Sequence, residues 1–364
     1  MTTLDQLPTP SLIVDLDKLE ANISRMADKS KRLGVALRPH IKTHKCIEIA
    51  RLQQKAGARG LTVSTLYEAR IFADHGFDDL TWAFPIILNR ASEFRELAER
   101  IDLRLVVDSL TAVDVLEAQN CPFHVFLKVD CGYHRAGVDP DGALALQIVQ
   151  RLHRSRRLEF DGLLTHSGHA YKAATRAELK AVAEEERSVL ARLAEQLRNR
   201  SLEVPVVSVG STPAMSVVES LEGITETRPG NYVFYDRMQA DLGSCEVTDC
   251  AVTVLASVIS SQPGAAHSVI DAGALTMSKD RGSEASVSDD MGAVFEDYEG
   301  GILSTETHLQ ALSQEHGILS TALPVGNRIR ILPHHSCLTV ACFDHCFAVR
   351  GEEVIARWRI WNGR

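Results

Sequence analysis

Eight short apolar runs, most of them separated by segments with helical spacing, constrain the fold of this chain more than any other feature. The runs lie at residues 12–16, 36–41, 60–63, 80–84, 103–107, 123–129, 158–165 and 204–209, with helical periodicity at 19–33, 67–75, 91–101 and 174–199. Strands alternating with helices bury their apolar faces as a (β/α)8 barrel or as an open doubly wound sheet. The glycine fingerprint expected after the first strand of a nucleotide-binding sheet is missing, since Leu16-Asp17-Lys18 follows instead. We therefore expect an α/β chain with a TIM-type barrel over residues 1–240, whose functional groups stand where strands end.

From about Cys245 the pattern changes to short alternating stretches at 252–259, 268–271, 328–332, 342–349 and 354–360, with few helical runs. This predicts a separate C-terminal β-domain over residues 241–364. Within it, residues 279–300 are polar, acidic and glycine-containing, which predicts a mobile loop long enough to be functional.

At 364 residues the chain can bury a large core, and two domains are the reasonable prior. A net charge of -9 argues against a nucleic-acid surface. No run is apolar enough to span a bilayer, and residues 1–12 lack the basic and apolar parts of a signal peptide, so a cytoplasmic protein is expected. The eight cysteines are scattered, which favours free thiols, one or more of them available to a metal.

Arg38-Pro39-His40-Ile41-Lys42-Thr43-His44-Lys45 reads as a strand end meeting a helix start. Strand alternation puts Arg38, His40 and Lys42 on one face, with Lys42 pointing into a site and Lys45 in the first turn of a helix capped by Thr43. A lysine held partly out of water can lose its proton near neutral pH and attack a carbonyl, as a pyridoxal phosphate tether must. Further on, alternation turns Phe126, Lys128 and Asp130 inward together, where the two charges would neutralise each other. His166, His169 and Tyr171 cluster around Gly168. The segment Gly210-Ser211-Thr212-Pro213 offers N–H and hydroxyl donors to a dianion at the barrel position where phosphates commonly bind. In Pro333-His334-His335-Ser336-Cys337-Leu338-Thr339, strand alternation sends His335 and Cys337 to one side. Imidazole plus thiolate favours zinc over magnesium or calcium, with manganese or cobalt as alternatives. His345 and Cys346 follow closely and read better as core packing.

The run Thr9 to Asp17, followed by Leu19-Glu20-Ala21-Asn22-Ile23, and the Arg38-Pro39-His40-Ile41-Lys42-Thr43-His44-Lys45 string resemble the D-serine dehydratase and D-threonine aldolase family, relatives of alanine racemase, and Lys128-Val129-Asp130-Cys131-Gly132-Tyr133-His134-Arg135-Ala136-Gly137 resembles the K-x-D-x-G-x-x-R-x-G segment of alanine racemases. The resemblance implies a pyridoxal phosphate barrel followed by a β-domain, and a homodimer. It implies that Lys42 carries the cofactor and that Arg135 approaches its phenolic oxygen. By the same resemblance His166, His169 and Tyr171 surround ring and substrate. Gly210, Ser211 and Thr212, with Gly230, Asn231 and Tyr232 of Arg228-Pro229-Gly230-Asn231-Tyr232, form the cofactor cradle. Pro333 to Thr339 is similar to the family's P-N-H-x-C-P-T zinc motif, departing at His334 and Leu338.

A metal beside this cofactor implies a lyase for D-β-hydroxy amino acids, giving a keto acid and ammonia from D-serine or a related substrate. The alternative is retro-aldol cleavage of the D-threonine aldolase or D-3-hydroxyaspartate aldolase type. In the aldolases a carboxylate tends to stand where Cys337 sits, which favours the dehydratase. A racemase would need a second base for which the last third offers no motif. A non-catalytic cofactor carrier would lack the β-domain.

Overall fold

The computed structural model describes residues 2–281 and 289–363. The chain divides into two compact units, one of Met1–Arg25, Thr43–Ile49 and Asn231–Asn362, the other of Met26–Lys42 and Ala50–Gly230 with the last two residues.

In the first unit β1 (Ser11–Asp15) is wholly buried and belongs to a nine-stranded sheet. The second unit holds eight parallel strands: β2 (Ala36–Leu37), β3 (Leu61–Val63), β4 (Asp79–Pro85), β5 (Asp102–Val107), β6 (Phe123–Lys128), β7 (Leu158–Leu164), β8 (Val206–Val209) and β9 (Glu226–Thr227). Their order is β2-β9-β8-β7-β6-β5-β4-β3, and a parallel bridge from His40 to Thr62 joins the two ends into a barrel. Val106, Phe126 and Leu164, from three adjacent strands, form one apolar layer. Three of the helices between barrel strands start on side-chain caps, with Thr65 accepting from Glu68 N, Ser109 from Ala112 N and Thr175 from Glu178 N. In the Arg176–Arg198 helix the buried residues Leu179, Ala183, Glu186, Leu190 and Leu197 recur at helical spacing, and the one carboxylate among them is put to use in the site.

The barrel expectation is met, with one exchange of strands. The run at 12–16 is not a barrel strand: β1 pairs antiparallel with β10 (Val252–Ser260) and parallel with β16 (His345–Arg350). A central strand covered on both faces shows the same continuous apolar run in either kind of sheet, so periodicity cannot separate the two. The eighth barrel strand is instead β9, two residues long and too short to leave a pattern.

The other strands of the first unit are β11 (Ser268–Ile270), β12 (Ala293–Asp297), β13 (Ile302–Leu312), β14 (Gly317–Leu319), β15 (Arg328–Leu332) and β17 (Glu353–Arg359). The sheet order is β11-β14-β13-β12-β15-β10-β1-β16-β17. Part of the stretch expected to be a loop, 279–300, is strand β12, while residues 282–288 lie outside the described residues. None of the eight cysteines is in a disulfide. Among the described residues no helix is long and apolar enough to cross a membrane.

A layer of ion pairs occupies the barrel strands. Arg38, 1% exposed, pairs with Glu226 at 2.7 Å and with Asp79. Arg104 reaches Asp79 at 2.5 Å and Asp161 at 2.8 Å. His124, Glu159 and Asp161 bring three donor atoms within 4.8 Å of one another, but Asp161 is already committed to Arg104. Arg38 is therefore a structural cation, because β2 stops at Leu37 and the expected alternation through Lys42 does not exist.

Candidate active site

Beyond β2 the chain is held by His40 N donating to Pro229 O at 3.0 Å, then turns through a 3-10 segment, Ile41–Thr43. Ile41 is fully buried and anchors this turn, which leaves Lys42 exposed rather than partly withdrawn from water. The following helix starts at Ile47, so Thr43 does not cap it, and Lys45 adopts a left-handed conformation with φ 47°. Proline at 39 and a buried isoleucine two residues on favour this tight turn over a continued strand.

The groups around His166, which follows β7, carry most of the electrostatics. Its Nδ1 lies 3.5 Å from Gly210 O. Burial, then the charges of Lys42, Lys128, Arg135 and Arg228, holds this imidazole well below its ordinary pKa, so it is neutral. Arg228 is buried and donates to Ser208 Oγ and Thr165 O. Burial lowers its pKa to about 10 despite Glu226 and Glu186. Glu186 Oε1 accepts from Ser167 N at 2.9 Å and from Gly210 N at 3.2 Å. Four basic side chains act on this one imidazole, an arrangement that suits an anion. Lys128 and Arg228 stand in the quoted motifs, but their part in this cluster was missed, as was Glu186. The signal for Glu186 was a carboxylate on an otherwise apolar helix stripe.

Lys128 does not pair with Asp130 as alternation implied. Asp130 instead closes its own turn, Oδ1 accepting from Gly132 N and His134 N at 3.0 Å and Oδ2 meeting His134 Nδ1 at 2.8 Å. Burial, with repulsion from Arg228 and Arg135, lowers the Lys128 pKa from 10.5 to about 7. The unfolded chain therefore binds more protons between those two values, and stability rises with pH across that window. We expect Lys128→Met to be more stable than wild type at or below about pH 7, the difference closing towards about pH 10. Thermal unfolding of the ligand-free protein across that range checks this.

Arg135 is exposed, its guanidinium 4.9 Å from the Tyr133 ring. Tyr133 packs so closely on Gly168 that a Cβ there would meet its ring at 2.2 Å, which requires glycine. The His169 ring stacks on that of Tyr133, centroids 6.0 Å apart, with Nε2 3.9 Å from Glu185. His169 and the half-buried Tyr171 share the 3-10 segment Gly168–Lys172.

β8 runs into Gly210, with φ 112° and Thr227 Oγ1 only 2.4 Å from where a Cβ would sit, so glycine alone fits. Ser211 caps the Thr212–Val217 helix, its Oγ accepting from Ala214 N at 3.3 Å, so that hydroxyl already has a structural task. Thr212 is buried at the start of this helix. Thr227 Oγ1, beside Gly210, is buried without a hydrogen-bond partner. An orphaned hydroxyl, a bare glycine and the surplus of cations fit a phosphate-bearing cofactor.

Gly230 ends the long segment of the second unit, and Asn231 begins the last segment of the first. The Asn231 side chain is not free for a phosphate: its Nδ2 donates to Asp236 Oδ2 at 2.6 Å and to Ser336 Oγ at 2.9 Å, and lies 3.9 Å from Cys337 Sγ. Tyr232 is fully buried.

His335 and Cys337 do share a side, but for a different reason than strand alternation. β15 ends at Leu332, and His335 is the extended N-cap of a short helix, Ser336–Val340, with Cys337 in its first turn. The fully buried Asp236 fixes that turn by accepting from Ser336 N at 2.9 Å and Ser336 Oγ at 3.0 Å. His335 Nδ1 contacts Asp280 Oδ2 at 2.7 Å, which leaves Nε2 as the ring's other donor atom. The Cys337 side chain is hydrogen-bonded to His335, and its Sγ lies 3.3 Å from Thr43 Oγ1. Burial works against the charged ring, yet the Cys337 sulfur and Asp280 raise its pKa to about 11. An oriented imidazole touching a thiol is a donor pair that fits a borderline-soft metal. His334 is buried on Asp290 at 2.6 Å. His345 meets Asp344, and Cys346 is buried with its thiol pushed up to about 12 by burial and by Glu48.

A parallel barrel with a lysine-bearing turn and a cluster of basic side chains, and a largely antiparallel unit presenting an imidazole–thiol pair, together define a class of cofactor-dependent barrel enzymes with an appended β-domain. Residues 14–238 match the family described as "Alanine racemase, N-terminal domain", and residues 251–349 match "Putative serine dehydratase domain". The chain is 37% identical over 377 residues to the D-threo-3-hydroxyaspartate dehydratase of Delftia sp. (strain HT23), covering 99% of each. It is 34% identical to the D-serine dehydratase of Dictyostelium discoideum (97% of this chain, 96% of the relative) and 29% identical to the D-threonine aldolase of Arthrobacter sp. (98% and 93%). The solved Delftia enzyme superposes with a TM-score of 0.95 over 100% of both chains, as does a cysteine-to-alanine variant of it in a metal-free form. The chain belongs to this family, which joins an alanine racemase N-terminal barrel to a serine dehydratase domain.

Proposed function

We propose that this protein is a pyridoxal phosphate- and metal-dependent lyase that eliminates the β-hydroxyl of a D-amino acid, giving a keto acid and ammonia. The observation that carries the dehydratase reading is the His335–Cys337 pair, in which the residue two positions after the histidine is a cysteine and not a carboxylate. Relatives named as dehydratases, matched along nearly their whole length, support it.

Lys42 would hold the cofactor through Nζ, and the same amine would take the proton from the substrate α-carbon. Lys128, Arg135 and Arg228 balance the charge of an anionic cofactor, with His166 kept neutral among them. Gly210, Ser211, Thr212 and Gly230 supply backbone donors for its phosphate. Tyr171 and Tyr232 flank the cofactor in this reading, and His169 faces substrate. The cofactor, when bound, supplies the sink for electrons released at the α-carbon. His335 and Cys337 hold the divalent metal, oriented by Asp280 and Asp236, with zinc favoured by the donor set and manganese or cobalt as substitutes. That ion supplies Lewis acidity toward the leaving β-oxygen. A cytoplasmic homodimer completes the reading, and sedimentation checks the dimer.

The test is product analysis with D-serine, D-threo-3-hydroxyaspartate and D-threonine. Keto acid and ammonia in equal amounts are expected. Glycine plus an aldehyde would place the protein with the aldolases, and recovery of the L-enantiomer would make it a racemase.

A further inference from the structure

Two buried groups of opposite charge grip the ends of β7 and β8. Arg228, which follows β9, donates to Thr165 O and to Ser208 Oγ. Glu186, 2% exposed on the Arg176–Arg198 helix, uses one oxygen to accept from Ser167 N at 2.9 Å and from Gly210 N at 3.2 Å. Thr165 and Ser167 flank His166, and Ser208 and Gly210 flank Val209, so each strand end is held on both sides of a single residue. The two turns also approach each other directly, with Ser167 Oγ 3.5 Å from Ser211 Oγ. His166 Nδ1, 3.5 Å from Gly210 O, takes its place from this arrangement.

The other buried residues of that helix stripe are leucine and alanine, and a glutamine could accept the same two N–H groups at a smaller burial cost than a carboxylate. Packing and hydrogen bonding alone do not account for the charge. Its field does: Glu186 acts on Lys128, joins Glu226 in offsetting Arg228, and reaches the Cys131 thiol, which burial and then Glu186 push up to about 11. One carboxylate thus serves groups at the ends of four successive strands, β6 to β9. We propose that Glu186 is a positioning residue of the cofactor site, which sets the turns carrying His166 and Gly210 and supplies counter-charge to Lys128 and Arg228. The identity of the cofactor rests on the lyase reading above; the clamp itself rests on these hydrogen bonds.

Two variants of the full chain separate the hydrogen bonds from the charge. Glu186→Leu suits the helix stripe but accepts nothing, and after removal and readdition of pyridoxal phosphate it is expected to bind that cofactor at least about tenfold more weakly than wild type, because two buried N–H groups lose their acceptor. Glu186→Gln keeps an acceptor and is expected to hold affinity within about threefold of wild type. In cofactor-free Glu186→Gln the titration midpoint of Lys128, followed by NMR of isotope-labelled lysine and assigned by its loss in Lys128→Met, is expected to fall by roughly a few tenths of a pH unit, because an attractive charge is gone. A merely structural acceptor would leave that midpoint in place. A folded Glu186→Leu with affinity within about twofold of wild type, a Glu186→Gln that binds as weakly as Glu186→Leu, or an unmoved or raised Lys128 midpoint would each overturn the proposal. Should Glu186→Leu not fold, the Lys128 midpoint in Glu186→Gln decides. Failure of the lyase reading shows separately, as a wild-type protein that binds no pyridoxal phosphate.

Discussion

Lys42→Ala is expected to lower kcat/KM by at least about 10⁴-fold, because it removes both the nucleophile that tethers the cofactor and the base that moves the α-proton, the latter alone worth roughly 10²–10⁴-fold. The position explains why no neighbour can substitute. Ile41 and Thr43 are fully buried on either side of the exposed Lys42, so the turn presents this side chain alone. Lys45 is three residues on and in a left-handed conformation. Lys128, its pKa lowered to about 7, is an amine of suitable basicity, but its burial, at 5% exposed, removes it from this role. Steady-state kinetics on Lys42→Ala and Lys42→Arg check this. Retention of more than about one hundredth of the activity in either variant would contradict the assignment.

Removing the metal is expected to have the next largest effect. A Lewis acid at the leaving oxygen is worth several kcal/mol, and about 1.4 kcal/mol is tenfold in rate, so chelation or Cys337→Ala should lower kcat by roughly 10²–10³-fold. After EDTA, added zinc should restore wild type but not Cys337→Ala. The exposed Cys342 serves as control, and Cys342→Ala should keep its activity and bound metal. Metal analysis alongside kinetics separates loss of the ion from loss of the fold. Asp280→Asn is expected to act through His335, by weakening metal affinity about 10–100-fold with a smaller change in kcat at saturating metal.

The barrel was readable because parallel strands buried on both faces leave long apolar runs, and β4 to β8 follow those runs closely. β1 was misplaced and β9 missed for complementary reasons: one is a buried central strand of another sheet, the other only two residues long. The side on which His335 and Cys337 meet was legible even though the element was not, since an N-cap and a first-turn residue can converge as two strand positions would. Alternation could not give the direction of Lys42, because a 3-10 turn interrupts the strand before it. Asn231, Asp236 and Ser336 form a hydrogen-bonded group spanning a hundred residues of chain, and nothing local marks such pairing. The cation cluster around His166 was likewise assembled from separate strand ends, as barrels assemble their sites.

The most direct test of the central claim is to reduce the purified protein with borohydride, digest it and locate the cofactor by peptide mass spectrometry. The account predicts one pyridoxyl adduct, on the peptide containing Lys42 and at Lys42 itself. An adduct confined to Lys45, Lys128 or any other lysine, or a protein that binds the cofactor with no reducible link, would contradict it.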